Sequence, residues 1–326
     1  MRRREFIALF GAAAAWPLLA HGQNKPTVVI GLVHSGSPEP AADAVAAFRS
    51  GLTAQGYVEG ANLAIEYRWA HDEYDRLPGL VADVANRPVA LIAATGGPVA
   101  ALAAKSVTTT LPIVFTGVAD PVRSGLVASL NHPRGNITGT AGLTTELDPK
   151  RLELLRELLP NVSRTGALIN PNRPNIDAQL GDLTAAARGL GIEIVVLRAG
   201  SERELEHAAR TFRDHRLQAV LVTADPFFVN RGKLLVSLMS QASVPAMYQW
   251  RELVLAGGLM SYGASRAEAY YQGGVYAGRI LNGEKPADLP VQTPTKFELV
   301  VNLRTAKAIG LAIPPSVLAR ADEVIE

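Results

Sequence analysis

The chain has 326 residues, enough for two domains of ordinary size, each with its own core. Hydrophobic residues make up 48% and charged residues 19%, which excludes an intrinsically disordered chain. The 32 basic and 30 acidic side chains leave a formal charge of +2, and the lack of cysteine excludes disulfides, thiolate metal sites, a cysteine nucleophile and a lipidated N-terminal cysteine.

Residues 1–22 read as a secretory signal peptide. Arg2-Arg3-Arg4 give a basic start, Phe6 to Ala20 an apolar stretch, and Ala20-His21-Gly22 a small-residue cleavage site before Gln23. The apolar stretch is shorter than the roughly 20 residues that span a bilayer. Arg3-Arg4-Glu5-Phe6-Ile7 also has the pattern of a twin-arginine export signal. Three of the 32 basic and one of the 30 acidic residues lie in this leader, so the remainder carries no formal net charge. The basic excess therefore says nothing about nucleic acid. The expectation is an exported, periplasmic protein with no lipid anchor and no stable membrane insertion.

Short β-branched runs then alternate with amphipathic stretches. Thr27–Val33 reads as a buried strand and Ala41–Gln55 as a helix stopped by Gly56. Asn62–Tyr67 is a strand, Tyr74–Ala85 a helix, Val89–Ala93 a strand and Pro98–Lys105 a helix. Pro112–Thr116 is a strand and Val122–Leu130 a helix. Gly135 to Leu147, rich in Gly and Thr, suits a crossover. The rhythm then restarts. Helices are expected at Pro149–Leu159, Ile176–Leu190, Glu202–Asp214 and Arg231–Ala242. Strands alternate with them at Thr165–Ile169, Ile192–Leu197, Ala219–Val222 and Pro245–Tyr248. Leu259–Tyr262 is a short strand and Ala267–Leu281 a helix. The Pro-rich segment 283–295 is an extended connection. Lys296–Asn302 is a strand, and Asn302 is placed to cap a helix over Leu303–Ile309. A last short helix follows Pro314-Pro315. Apolar strands alternating with helices predict an α/β protein with two Rossmann-like lobes, each on a parallel sheet.

The usual catalytic signatures are absent. There is no GxSxG elbow, HExxH pair or GxxxxGK[ST] loop, and Gly96-Gly97 does not complete GxGxxG. The histidines after the leader (His34, His71, His132, His207 and His215) are scattered and read as surface residues. No catalytic residue, metal or cofactor is expected. Basic residues are not interleaved with aromatics, which argues against nucleic acid.

In open α/β sheets ligands bind beyond the carboxyl ends of the strands. Ser35, Thr95, Gly96 and Thr116 stand there and suit a carboxylate held by backbone amides and hydroxyls. Asp120 and Asp225 are candidates for an ammonium group, although each precedes a proline and could equally cap a helix. Asn170 ends another strand and fits either a contact or a turn. Tyr248 and Tyr262 are preferred as packing surfaces for an apolar part, ahead of Trp250, which reads as core.

Several segments carry a family resemblance: Pro112-Ile113-Val114-Phe115-Thr116 with Asp120-Pro121-Val122, and Gly125 to Leu130. Tyr248-Gln249-Trp250-Arg251-Glu252, Gly257 to Gly263 and Pro294 to Leu303 complete the set, the last two being the most specific. Over essentially its whole length the chain resembles the substrate-binding proteins of ABC transporters, in the family that includes the tryptophan/tyrosine-type components. That resemblance implies a type I periplasmic-binding-protein fold with three crossovers and a ligand in the cleft. Residues 23–142 and 257–293 would form the first lobe, and 143–256 and 294–326 the second. Asp225 matches the Thr-Asp-Asn of tryptophan-type relatives, while Phe227-Phe228 departs from their pattern. The implied partners are a small organic solute of the amino-acid (aromatic included) or related carboxylate class, and an ABC permease with its ATPase. The protein itself is expected to be a monomer. An exported α/β enzyme or a ligand-sensing domain would use the same cleft.

Overall fold

The computed structural model describes residues 27–326, so the expected signal peptide lies outside the described residues. The first sheet is built from β1 (Val28–His34), β2 (Leu63–Trp69), β3 (Ile92–Thr95), β4 (Ile113–Val118) and β5 (Ile137–Ala141). Between them run α1 (Pro38–Ala54), α2 (Leu77–Ala85) and α3 (Pro98–Val107). The strand order is β2-β1-β3-β4-β5, parallel throughout.

The second unit starts with α4 (Asp148–Leu158), β6 (Arg164–Ile169), α5 (Ile176–Gly189), β7 (Glu193–Arg198) and α6 (Glu202–Asp214). It continues with β8 (Ala219–Val222), α7 (Pro226–Asn230), α8 (Gly232–Ala242), β9 (Ala246–Tyr248), α9 (Arg251–Leu255) and β10 (Met260–Gly263). Helix α10 (Arg266–Leu281) returns to the first sheet. The chain then crosses back for β11 (Glu298–Asn302), α11 (Leu303–Ala308), α12 (Pro315–Arg320) and β12 (Glu323–Ile325). The second sheet has the order β12-β11-β10-β9-β8-β6-β7, and only the β10–β11 pair is antiparallel.

Alternation along the strands explains the layering. On one face of the first sheet Ile30, Leu32, Ala93 and Val114 pack against Phe48 of α1 and Ala277 of α10. On the other, Val33, Ala94 and Phe115 pack against Val81 of α2 and Ala101 of α3. Side chains of a strand point alternately to its two faces, so a strand covered on both reads as a continuous apolar run. The second sheet repeats the arrangement, with α4 and α5 on one face and α6 and α8 on the other. Asn302 accepts from the Thr305 amide and so caps α11. Among the described residues, no helix is long and apolar enough to cross a membrane.

Three local expectations need correction. Val122–Leu130 is a run of turns, not a helix. The amides of Leu126 and Val127 both donate to Pro121 O, and Gly125 sits at φ 72°. The Gly/Thr-rich segment 135–147 is only partly a crossover, because Ile137–Ala141 forms β5, buried throughout. The return to the first lobe falls after β10 rather than at residue 257, since β10 pairs with β9 and β11 in the second sheet.

Helix α10 docks on α1 backbone to backbone. A Cβ on Gly274 would lie 2.0 Å from Phe48 O, and one on Gly51 would lie 2.1 Å from Tyr271 O. Only glycine lets two helices approach this closely. Gly79, inside α2, has nothing within 4 Å of such a Cβ. Gly274→Ala should therefore destabilise the fold by about 1–3 kcal/mol. Gly79→Ala should stabilise it by up to about 1 kcal/mol. Urea unfolding of the two variants checks both signs.

Candidate ligand-binding cleft

The carboxyl ends of β1, β3 and β4 face those of the second sheet across a cavity of about 640 Å³. The three crossovers form part of its wall, through Gly142 and Thr144, Ala264 and Ser265, and Thr293 to Lys296. The first lobe presents a glycine turn together with His34, Thr116 and Tyr270. Gly96 and Gly97 hold φ of 84° and 97°, a region that side chains disfavour, and lead into Pro98 at the first position of α3. The second lobe presents side chains, chiefly Arg173, Asp225, Asn230 and Trp250.

Asp225 is 2% exposed. Its Oδ1 accepts from Tyr74 Oη at 3.0 Å, Asn170 Nδ2 at 2.9 Å and the Phe227 amide at 2.9 Å. Burial pushes its carboxyl above the usual range, opposed by the Asn170 hydrogen bond and the Arg173 guanidinium. Arg173 Nη1 donates to Gln179 Oε1 at 2.7 Å and to Ala224 O. Gln179 in turn donates to Asp148 Oδ2 at 2.6 Å.

Asp148 is paired with Arg151 at 2.7 Å, both without exposed side-chain surface to speak of, at 2% and 0%. Arg151 also donates from Nη1 to Thr144 O at 2.6 Å and from Nε to Tyr262 O at 2.8 Å. One guanidinium thus grips the first crossover and the strand end before the second. The Tyr262 ring packs at a tilt against Phe297, 6.3 Å between centroids, and Phe297 belongs to the third.

The lobes touch beyond the cavity as well. Asn230 donates to Asp72 Oδ1 at 2.5 Å, Arg231 pairs with Asp72 Oδ2 at 3.2 Å, and Arg123 pairs with Asp182 at 2.6 Å. With the Tyr74–Asp225 bond these contacts describe a closed arrangement.

The family described as ABC transporter substrate binding protein matches residues 37–325. The chain belongs to this family. The tyrosine-binding protein of Clostridioides difficile (strain R20291) is 28% identical over 264 residues, covering 81% of this chain and 75% of that protein. The ABC domain in complex with L-Trp from Streptococcus pneumonia is 25% identical, with a TM-score of 0.81 over 91% of this chain and 100% of that one. A conserved domain protein from Vibrio cholerae is 28% identical, with a TM-score of 0.85 over 91% of this chain and 99% of that one. The substrate-binding protein has the two-lobe type I periplasmic-binding-protein fold.

Of the residues expected at the site, Gly96, Thr116 and Asp225 line the cavity of this substrate-binding protein. Ser35 and Thr95 stand behind it, fully buried; Ser35 Oγ donates to Gly96 O at 2.5 Å and so holds the turn. Asn170 orients Asp225 instead of facing the cavity. Asp120 accepts from the Val122 and Arg123 amides at 3.1 and 2.8 Å, which makes it a turn cap outside the main cavity. Tyr248 is fully buried in the core, with its hydroxyl unpartnered, and Tyr262 packs on the third crossover. Trp250, read as core, is the aromatic of that stretch that lines the cavity. Phe227 and Phe228 lie in the core.

Sequence reading missed Tyr270, Arg173 and His34. Tyr270 sits inside α10, where no strand end points to it. His34 does end β1, yet it is 3% exposed rather than a surface residue. Its ring lies 5.0 Å from Trp69, and its Nδ1 accepts from the Gly36 amide at 2.8 Å. Among the described residues, no group of three or more acidic or histidine side chains is placed to hold a metal ion.

Burial, helped by the nearby Arg266 charge, lowers the His34 pKa from 6.5 to about 3. As pH falls the unfolded chain takes up this proton first. The stabilisation carried by neutral His34 is therefore complete above pH 6.5 and is lost between there and about pH 3. Between pH 7 and pH 5 the stability advantage of the wild type over a non-titrating His34→Asn variant should shrink by about 2 kcal/mol. Urea unfolding at the two pH values reads it; a constant difference would mean that His34 is already protonated or not buried.

Proposed function

We propose that the protein is the solute-binding component of an ABC importer and that it captures an amino acid, aromatic in the first instance, in the cleft between the lobes. The observation that carries this is Asp225. It is a buried acid in the cleft wall, and every hydrogen bond to it from the described residues falls on Oδ1, which leaves Oδ2 for a ligand ammonium. Trp250 and the small apolar residues of the wall suit a flat side chain. The tyrosine-binding relative and the L-Trp complex support the same class.

The hypothesised mechanism is rotation of the lobes about the three crossovers. Solute favours closure only to the extent that it binds the closed form better than the open one, and Asp225 with its Tyr74 partner from the other lobe supplies such a difference. The closed form is then what a permease with its ATPase would recognise. This reading places the protein outside the cytoplasmic membrane, as its family and the expected leader suggest. The tyrosine-binding relative and the L-Trp complex are described by a bound solute, and the one histidine of the cavity wall has both ring nitrogens engaged, which favours binding over turnover.

A thermal-shift panel of the common L-amino acids tests the reading, with L-tryptophan and L-tyrosine expected among the stabilising ligands. Asp225→Asn keeps an oxygen for the Tyr74, Asn170 and Phe227 donors but removes the charge. It should weaken amino-acid binding by roughly 10- to 100-fold, the worth of a hydrogen bond between charged groups. Isothermal titration should show no such loss for the matching deaminated acid. A panel without any stabilising amino acid, or an Asp225→Asn protein of unchanged affinity, would sink the assignment.

A further inference from the structure

The groups around Tyr270 fix the direction of each hydrogen bond. The Gly36 amide donates to His34 Nδ1 at 2.8 Å, so that nitrogen carries a lone pair and no proton. The proton of the neutral ring must then sit on Nε2, which lies 3.2 Å from Tyr270 Oη. The ring donates and the phenol oxygen accepts. The Gly96 amide donates to the same oxygen at 3.0 Å. Both lone pairs of Tyr270 Oη are thereby occupied, and its own proton finds no acceptor among the described residues.

Burial keeps His34 uncharged at any ordinary pH, so this polarity does not reverse. Tyr270 is 3% exposed and still lines the cleft, beside Gly96, Gly97 and the start of α3. A buried hydroxyl with an unspent proton costs free energy until an acceptor arrives. A second donor stands on the same wall. Thr116 is 1% exposed, and its Oγ1 is buried without a partner. Its methyl is turned to α10, where a Cβ on Gly273 would lie 2.5 Å from Thr116 Cγ2.

We propose that Tyr270 is the donor that selects the carboxylate of the bound solute, with His34 and the Gly96 amide as the positioning groups that commit its proton to the cleft. The amino end of α3 adds its partial positive charge at the same place. The proposal rests on the amino-acid reading above and assigns the other charged group on the α-carbon, beside the ammonium given to Asp225. It predicts discrimination against amines that lack the carboxylate.

The test is isothermal titration of wild type and Tyr270→Phe with L-tryptophan and tryptamine, and with L-tyrosine and tyramine. The variant should bind the amino acids about 10- to 100-fold more weakly and the amines unchanged, the range for a hydrogen bond to a charged group. A variant that treats acid and amine alike overturns this proposal while leaving the amino-acid reading intact. A wild type that binds none of the four overturns both. Should Tyr270→Phe fail to fold, the 15N shifts of His34 in the wild type decide. A proton on Nε2 supports the assignment, and a proton on Nδ1 overturns it.

Discussion

The buried Arg151–Asp148 pair is the constraint around which the cleft is organised. An ion pair taken out of water adds little net stability, because desolvation cancels most of its attraction. What it supplies is geometry. The guanidinium is held by the Asp148 carboxylate on its own helix, its Nη1 also donates to Thr144 O, and its Nε donates to Tyr262 O. The first crossover and the strand end before the second are thereby tied to one helix of the second lobe. The same carboxylate passes the order on through Gln179 to Arg173, and Arg173 sits beside Asp225 in the cavity wall. Crossover and cavity wall are thus parts of one hydrogen-bonded network.

The lobes contribute unequal chemistry. The first offers a glycine turn, the start of a helix and hydroxyls locked by α10. The second offers charged and aromatic side chains held by the network just described. A zwitterion with an apolar body suits such a pair of walls, since its two charged groups, side by side on one carbon, need surroundings of opposite sign.

Most of the architecture was legible because each core strand is covered on both faces and reads as an apolar run. The elements that escaped lack that signature. Strand β5 is Ile-Thr-Gly-Thr-Ala, and its Thr138 and Thr140 are buried through hydrogen bonds rather than by apolarity. Helices α7 and α9 have five residues each, too short for a periodic pattern. Of the residues chosen by the strand-end rule, Gly96, Thr116 and Asp225 line the cavity. The rule erred at Tyr248, which still belongs to β9 and points into the core, two residues before the side chain that reaches the cleft. It could not find Tyr270, because that residue comes to the site only through the return of α10.

That return also governs how the chain can fold. Arg266 at the start of α10 bonds to Pro40 O across 226 residues. The apolar face made by Ile30, Leu32 and Phe48 is covered partly by α10, and the second sheet gains β11 and β12 only at the end of the sequence. Neither lobe can finish until these late segments have been made. Contacts so distant in sequence make for slow assembly and a nascent chain with exposed apolar surface. Synthesis must pass residue 281 before the first half of the cleft acquires its final packing, and residue 325 before the second does.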